Sequence, residues 1–406
     1  MSAGPTLAGR PTAASAQAAV GAKAIHSDRR LPALTGLRIF AALAVYFNHL
    51  GGPHGAPGFV RSFFESGYCG VTIFFVLSGF VLAYNYFDEM TRPRVKEIYE
   101  FFLARFARVY PLYLLVLAYI VLDLHAGGLS IDGWWRNALG IQAWDPNVLH
   151  AFSFDAPAWS VSVEFFLYAC FPLLVPLVAR LRTPCQILLA AAVVAAIIAG
   201  LAIWFVAAGK GTLPVFDPRS AHRWLYRTPL TRLGDFTLGI LAARLFVTAG
   251  DRPLAVRVGS WLAPLSALLI VGLMCWPTLF ITAWSWDLAY ALPATCLIFG
   301  LAVAPGTASS RFLSIPAIVL LGEASYAFYL IHEPAIGWFG GGHWEAAISP
   351  TRLIYEAMTL GAIMAFAIGL HISVELPARK FLRGWLSLRQ GSPLTRLFAR
   401  KTPADG

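Results

Sequence analysis

The chain has 406 residues, of which 58% are hydrophobic and 13% are charged, and its formal net charge is +10. Soluble domains carry about 25% charged residues, so this chain has too few charges to cover a water-soluble fold of its length. The composition excludes a soluble protein and predicts a polytopic membrane protein. The basic excess does not require a nucleic-acid partner, because Lys and Arg collect in the cytoplasmic loops of membrane proteins.

The apolar segments come in chain order after a polar N-terminal region. Residues 1–31 are rich in Ala, Gly, Ser and Thr, which predicts a disordered cytoplasmic tail. Most of the segments that follow approach the ~20 residues that cross a bilayer. They are 36–52, 67–87, 109–124, 158–179, 185–208, 229–249, 259–277, 281–304, 315–338 and 352–376. We therefore expect an all-α transmembrane bundle of about ten spans at 32–379, and a basic cytoplasmic tail at 380–406.

The distribution of basic residues predicts the orientation of the bundle. If the N-terminus is cytoplasmic, most of the Lys and Arg residues fall in the tails and loops of the cytoplasmic side. Both termini are therefore predicted to be cytoplasmic. The loop 210–228 is the exception, because it places four basic residues on the opposite side. The stretch Ala378–Gln390 mixes basic and apolar residues and is expected to lie along the anionic inner leaflet.

The first apolar segment carries two ionisable residues, in the stretch RIFAALAVYFNHL from Arg38 to Leu50. Eleven residues advance a helix by about 16 Å and turn it roughly 20° beyond three full turns, so Arg38 and His49 share one face. That face is expected to look into a polar cavity, because ionisable groups in lipid are costly. Taken alone, Arg38 can be interpreted as a side chain that extends to the cytoplasmic headgroups, and His49 as a structural histidine. The pair favours a route from a cytoplasmic anion to a deep base.

Later segments contain comparable polar residues. Arg105 and Arg108 in FFLARFARVYPLY lie one turn apart, where they either grip phosphate oxygens or anchor a helix at the cytoplasmic boundary. Glu164 stands at the start of a span and needs a partner, for which a histidine on a neighbouring helix is one candidate. Arg232 and Asp235 are close enough to pair with each other. The residues expected to contact a substrate or support the structure are Ser78, Trp159, Arg232, Asp235, His332 and Glu375.

In this order and spacing, the motifs resemble those of the acyltransferase-3 family of integral-membrane acyltransferases, from about residue 31 to residue 379. The matching pieces are the arginine and histidine separated by ten residues in RIFAALAVYFNHL, FFVLSGF, the Arg-x-x-Arg of FFLARFARVYPLY, WSVSVE and LGEASYAFYLIHEP. One departure is Thr72, where many members carry an Asp after Gly-Val. Acceptor contacts of the Asp-bearing members are therefore not transferred to this chain.

The resemblance implies a ten-helix bundle that moves an acyl group from cytoplasmic acyl-CoA, commonly acetyl-CoA, to a hydroxyl of a glycan or lipid-linked acceptor. It implies His49 as the catalytic residue, with Glu164 orienting the imidazole or holding the acceptor. The residues implied to bind the donor's phosphates are Arg38, Arg105 and Arg108. It further implies a multi-pass protein of the bacterial inner membrane, with acyl-CoA, acceptor and lipid bilayer as partners and no permanently bound cofactor or metal.

Two classes of function fit the buried charges before the resemblance is considered. The alternative to an enzyme is a transporter or flippase for a lipid-linked sugar or acyl donor. Such folds often contain paired repeats with discontinuous helices, and the arginine and histidine motifs of the first half have no counterpart in the second. Without the resemblance the two classes stay about equally open, and it is the resemblance that favours a membrane O-acyltransferase. Its acceptor stays open among O-antigen, exopolysaccharide, peptidoglycan and a secreted macrolide-like metabolite.

Overall fold

The structure is a computed structural model and describes residues 31–53, 55–338 and 349–381. Within these ranges the chain is helical and contains no strand, which confirms the all-α prediction. The tails predicted at 1–31 and 380–406 lie almost entirely outside the described residues, so their prediction is not tested.

Ten helices of 16 or more residues in the described ranges follow the predicted apolar segments. They are α1 (Pro32–Leu50), α2 (Cys69–Thr91), α3 (Val95–Ala126), α4 (Trp159–Val178), α5 (Pro184–Ala207), α6 (Pro229–Ala249), α7 (Pro253–Met274), α8 (Leu288–Val303), α9 (Pro316–Trp338) and α10 (Pro350–Leu370). Seven helical stretches of the described chain are long and apolar enough to cross a membrane. Helices α6, α8 and α9 are not among them, so the count of ten spans and the orientation stay predictions.

Several of these helices begin where the sequence provides a start signal. A proline stands in the first turn of α1, α5, α6, α7 and α10, where its missing N–H would have no partner in the helix. At the start of α5, Thr183 and Gln186 form a capping box. The connecting segments contain the short helices Gly58–Glu65, Trp134–Ala138, Val148–Ala151 and Ala308–Leu313. Two segments are π-helical, His222–Arg227 and His371–Glu375.

Helix α2 lies at the centre of the bundle, packed against α1, α4, α6 and α8. Its contact with α6 depends on glycine. A Cβ added at Gly79 would lie 2.1 Å from the carbonyl oxygen of Phe236, and one added at Gly239 would lie 2.0 Å from that of Val76. The two backbones therefore meet at a distance that only glycine permits. The small Ser78-Gly79 pair of FFVLSGF is the sequence feature that permits this close approach.

Gly239→Ala is expected to destabilise the protein by about 1–3 kcal/mol, because the added methyl group would overlap the carbonyl oxygen of Val76. Gly272 on α7 is the matched control, since a Cβ there meets nothing within 4 Å. Gly272→Ala is expected to keep or raise the stability, because Ala favours the helix. Thermal unfolding of the two detergent-solubilised variants measures the difference. Equal midpoints would contradict the glycine-dependent contact.

The basic loop between α5 and α6 has structural contacts that account for part of its charge. Arg227 is buried and donates to the carbonyl oxygens of Asp145 and Pro146 at 2.6 and 2.7 Å. Burial lowers the pKa of Arg227 to about 10, so the side chain keeps its charge at neutral pH. Arg219 pairs with Asp217 at 3.0 Å. Arg227 therefore holds the loop to the segment at Asp145 and Pro146, whereas the pair of Arg219 and Asp217 lies within the loop itself.

Candidate active site

A cavity of about 100 Å³ lies between α1, α2, α3, α4 and α9. The three arginines predicted to bind the donor line it together, Arg38 from α1 and Arg105 and Arg108 from α3. Ser78 of α2 and Glu164 of α4 line the same cavity. Five of the residues singled out from the sequence thus converge on one space, although they come from four different helices.

Neighbouring tyrosines hold two of the charged groups in this cavity. The Tyr168 hydroxyl donates to the carboxylate of Glu164, one helical turn away on α4. Nη2 of Arg105 donates to the hydroxyl of Tyr86 at 3.0 Å, and the guanidinium carbon lies 5.2 Å from the centre of that ring. Fixed side chains of this kind are preorganised for a ligand, since less conformational entropy is lost on binding.

The electrostatic balance of the cavity is positive. Arg38 lies within electrostatic range of Arg108 and of Glu164. Three guanidinium groups and one carboxylate line the cavity, which favours a ligand with more than one negative charge. The planar fork of N–H donors on each guanidinium matches the oxygens of phosphate groups.

His49 forms a pair with His332 of α9. Nδ1 of His49 lies 3.1 Å from Nε2 of His332, and Nδ1 of His332 lies 2.7 Å from the carbonyl oxygen of Tyr329. A carbonyl oxygen only accepts, so Nδ1 of His332 carries a hydrogen and its Nε2 accepts one. In a neutral pair, Nδ1 of His49 is therefore the donor to His332. This tautomer leaves Nε2 of His49 as the basic nitrogen.

Tyr329 connects the cavity with the histidine pair. Its side chain lines the cavity, while its carbonyl oxygen accepts from His332. Its hydroxyl donates to the carbonyl oxygen of Pro157 at 3.1 Å, and Glu333 accepts from the backbone N–H of Ala156 at 3.0 Å. Helix α9 is thus bound to the turn before α4 on both sides of His332, which fixes the position of the imidazole.

The shared face of α1 contacts different groups at its two ends. Arg38 lines the cavity, whereas His49 contacts His332 and is not among the described residues that line the cavity. Glu164 was expected to orient the imidazole of His49, but its hydrogen bond goes to Tyr168 at the arginine end. The residue that orients His49 in this structure is His332, which the sequence indicates only through the His-x-Pro of the α9 motif. The catalytic role of Glu164 stays a prediction.

Asp155 is a buried carboxyl group near this site that sequence reasoning missed. Its side chain lies in the turn before α4 and the residue is 3% exposed. Burial, and then the charge of Glu333, raises the pKa of Asp155 well above its usual range. The neutral acid is therefore favoured beside the turn that holds α9. Asp155 belongs to none of the recognised motifs, and a loop position offers no periodicity that would indicate burial.

Arg232 and Asp235 lie outside the cavity, in a buried polar network. Arg232 is fully buried and donates to the Asp235 carboxylate at 2.7 Å, the Thr72 hydroxyl at 3.1 Å and the Trp286 carbonyl oxygen at 2.7 Å. Asp287 lies 3.5 Å from the same guanidinium. The predicted pairing of Arg232 with Asp235 is confirmed. Thr72, the departure from the common Asp, is a hydrogen-bond partner of this arginine.

Trp159 supports the same arginine from the start of α4. It is buried, and its ring centre lies 4.9 Å from that of Tyr226. The carbonyl oxygen of Tyr226 accepts from Nε of Arg232 at 2.5 Å, and its ring lies 4.9 Å from the guanidinium carbon. Of the two expectations for Trp159, substrate contact or structural support, these contacts correspond to structural support.

The fold and the site define a multi-pass membrane protein in which an arginine-lined cavity adjoins a histidine pair. The model of the acyltransferase-3 family, described as an acyltransferase domain, matches residues 31–374. The chain belongs to this family and is an acyltransferase, which confirms the resemblance and decides against a transporter.

Two curated relatives show what the chain is similar to. Acyltransferase MdmB of Streptomyces mycarofaciens is 32% identical over 394 residues, which cover 87% of this chain and 92% of MdmB. O-acetyltransferase OatA of Staphylococcus aureus is 24% identical over 382 residues, which cover 88% of this chain and 58% of OatA. The chain therefore spans little more than half the length of OatA. No solved protein structure matches the chain.

Proposed function

We propose that this acyltransferase moves an acetyl group from acetyl-CoA to a hydroxyl of a glycan or other exported acceptor at the bacterial inner membrane. The observation that carries the proposal is the cavity lined by Arg38, Arg105 and Arg108, which Tyr329 connects to the histidine pair. The name of the relative OatA, an O-acetyltransferase, supports both the acetyl group and the oxygen acceptor. The MdmB name supports acyl transfer without specifying either.

The spacing of the site suits a CoA thioester. The arginines provide several guanidinium forks for the phosphates of the donor. Arg38 and His49 are about 16 Å apart along α1, comparable with the length of an extended pantetheine arm. A donor held by its phosphates at Arg38 would present its thioester towards His49. If both termini are cytoplasmic, the phosphate end of the site opens to the cytoplasm, where acyl-CoA is made.

General-base catalysis follows from the tautomer of His49. Its Nε2 would take the proton of the acceptor hydroxyl as the hydroxyl oxygen attacks the thioester carbonyl. The carbon–sulfur bond then breaks, the CoA thiolate leaves, and the imidazolium returns the proton to the sulfur. The hydrogen bond from Nδ1 to His332 holds the ring in one orientation during the transfer.

An acyl-histidine relay uses the same nitrogen as a nucleophile. Nε2 of His49 would attack the thioester carbonyl and form an acyl–nitrogen bond as the carbon–sulfur bond breaks and CoA leaves as the thiolate. The acceptor hydroxyl would then attack the acyl carbon, the acyl–nitrogen bond would break, and the released imidazole would take the hydroxyl proton. This scheme suits a donor and an acceptor that reach the site from opposite sides of the membrane. Both schemes place the chemistry at His49 and the donor's phosphates at the arginines.

The proposal is tested by the fate of the acetyl group. Proteoliposomes containing the purified protein are expected to transfer radiolabelled acetyl from acetyl-CoA to a glycan acceptor extracted from the envelope. Glycans of cells lacking the gene are expected to be lighter by one acetyl group in mass spectrometry, and the fragment that changes identifies the acceptor. Unchanged glycans, together with no acetyl transfer in the proteoliposomes, would overturn the proposal.

A further inference from the structure

The C-terminal extension of α10 carries three ionisable residues that the proposed chemistry does not use. The helix continues through the π-helical segment His371–Glu375, and the helical stretch as a whole ends at Phe381. His371, Glu375 and Arg379 follow one another at four-residue spacing. Oε2 of Glu375 accepts from Nδ1 of His371 at 2.7 Å and from Nη2 of Arg379 at 3.1 Å. The carboxylate side chain is 0% exposed.

These contacts fix Arg379 in place. A buried carboxylate on an apolar helix is costly unless it is paired, and Glu375 is paired on both sides. The hydrogen bond from His371 fixes the orientation of the Glu375 carboxylate, and that carboxylate in turn fixes the position of the Arg379 guanidinium. Residues supported in this way by a second layer of hydrogen bonds are suited to hold a ligand in a defined geometry. The π-helical turn that carries His371 and Glu375 is also a kind of helix irregularity that recurs at functional sites.

The position of this group relates it to the cavity. The segment His371–Glu375 packs against α3 and α9, the helices that contribute Arg105, Arg108 and Tyr329 to the cavity wall. Arg38 lies within electrostatic range of both Glu375 and Arg379. Arg379 is therefore beside the arginine end of the cavity, although it is not among the described residues that line it.

We propose that Arg379 is a fourth arginine of the donor site and binds the ribose 3′-phosphate of acyl-CoA, with Glu375 and His371 as its positioning residues. The inference rests on the proposed function, because it takes a CoA thioester as the donor. It adds to that function a residue that distinguishes CoA from a donor that carries the diphosphate but lacks the 3′-phosphate.

CoA carries phosphate groups at two distances from its thioester, and the arginines of this site lie at two corresponding places, inside the cavity and beside it. The diphosphate is joined directly to the pantetheine arm, whereas the 3′-phosphate lies on the ribose, farther from the thioester. Arg38 and its neighbours on α3 line the cavity itself, so they suit the diphosphate. Arg379 lies outside the lining, past the end of α10, so it suits the phosphate that lies farther out. A phosphate there would form charge-assisted hydrogen bonds with its guanidinium.

Binding of CoA and of 3′-dephospho-CoA to the full chain in lipid nanodiscs tests the assignment. The wild-type protein is expected to bind CoA about tenfold more tightly than 3′-dephospho-CoA, as for one charge-assisted contact. Arg379→Gln is expected to bind both ligands equally, with the wild-type affinity for 3′-dephospho-CoA retained. Lys380→Gln is the matched control, because Lys380 is the next residue and is exposed. It is expected to discriminate as the wild type does.

The outcomes separate failure of the assignment from failure of the proposed donor. Wild-type discrimination in Arg379→Gln would overturn the assignment, and so would an equal loss of affinity for both ligands, which a structural or diphosphate role would produce. Failure of the wild-type protein to bind either ligand would instead contradict acyl-CoA as the donor. If Arg379→Gln does not fold, Arg379→Lys keeps the charge beside Glu375. The lysine variant is expected to lose most of the discrimination, because it lacks the planar fork, and full discrimination would overturn the assignment.

Discussion

His49→Ala abolishes acyl transfer, in our expectation, while the protein still inserts and folds. In the proposed general-base scheme the base is Nε2 of His49, and general-base help of this kind is typically worth ~10²–10⁴-fold in rate. In the acyl-histidine scheme the loss is complete, because the nucleophile itself is missing. The measurement is acetyl transfer from acetyl-CoA in membrane vesicles, normalised to the amount of folded protein found by fluorescence-detected gel filtration.

A second histidine on a membrane helix provides the control for this variant. His125 lies at the exposed end of α3, so His125→Ala is expected to keep wild-type activity. CoA binding is expected to persist in His49→Ala, because the arginines that line the cavity are unchanged. Retained binding with lost transfer would separate the chemical role of His49 from donor recognition. Near-normal transfer by His49→Ala would contradict both chemical schemes.

The helices and much of the cavity could be predicted from the sequence because their signals are local. Apolar runs of membrane-crossing length and prolines at helix starts mark the helices. The motifs that carry Arg38, Arg105 and Glu164 indicated a shared site, and the structure brings these side chains to one cavity. The sequence also places Tyr168 four residues after Glu164, where the two side chains can pair on one helix face. The structure has this hydrogen bond, whereas the sequence analysis named a histidine as the candidate partner.

The pairing of His49 with His332 could not be read from the sequence. It depends on α1 packing against α9, nearly three hundred residues later, and neither helical periodicity nor motif order specifies that contact. The same limit applies to Asp287, which approaches Arg232 from the segment before α8. Of the two acidic neighbours of Arg232, only Asp235 could be predicted, because it lies three residues away on the same helix.

The network around Thr72 suggests how the chain accommodates the absence of the common Asp. Two acidic residues already face the Arg232 guanidinium, Asp235 at 2.7 Å and Asp287 at 3.5 Å. The fully buried guanidinium of Arg232 is thus paired with Asp235 of α6 and approached by Asp287 from the segment before α8. Thr72 contributes a neutral acceptor at 3.1 Å, so a further negative charge on α2 is not needed.

Arg232→Met is expected to cause the largest loss of stability of the variants considered, about 3–5 kcal/mol. Arg232 and Asp235 are both fully buried, and removal of the guanidinium leaves the Asp235 carboxylate without its cation in a medium that solvates charge poorly. Methionine keeps much of the side-chain volume, so the loss reports the missing charge rather than a cavity. Thermal or denaturant unfolding of the detergent-solubilised protein, monitored by tryptophan fluorescence, measures it.

Two further variants test whether the loss comes from the unpaired carboxylate. Asp235→Asn added to Arg232→Met is expected to restore part of the stability, because it removes the uncompensated charge and the two effects are not additive. Arg219→Gln is the control for losing an arginine as such, since its ion pair with Asp217 is on an exposed side chain and contributes nothing measurable. If Arg232→Met unfolded at the same midpoint as Arg219→Gln, the buried network would not be stabilising the bundle. If Asp235→Asn restored nothing, the loss would have to come from the contacts with Thr72 and Trp286 rather than from charge.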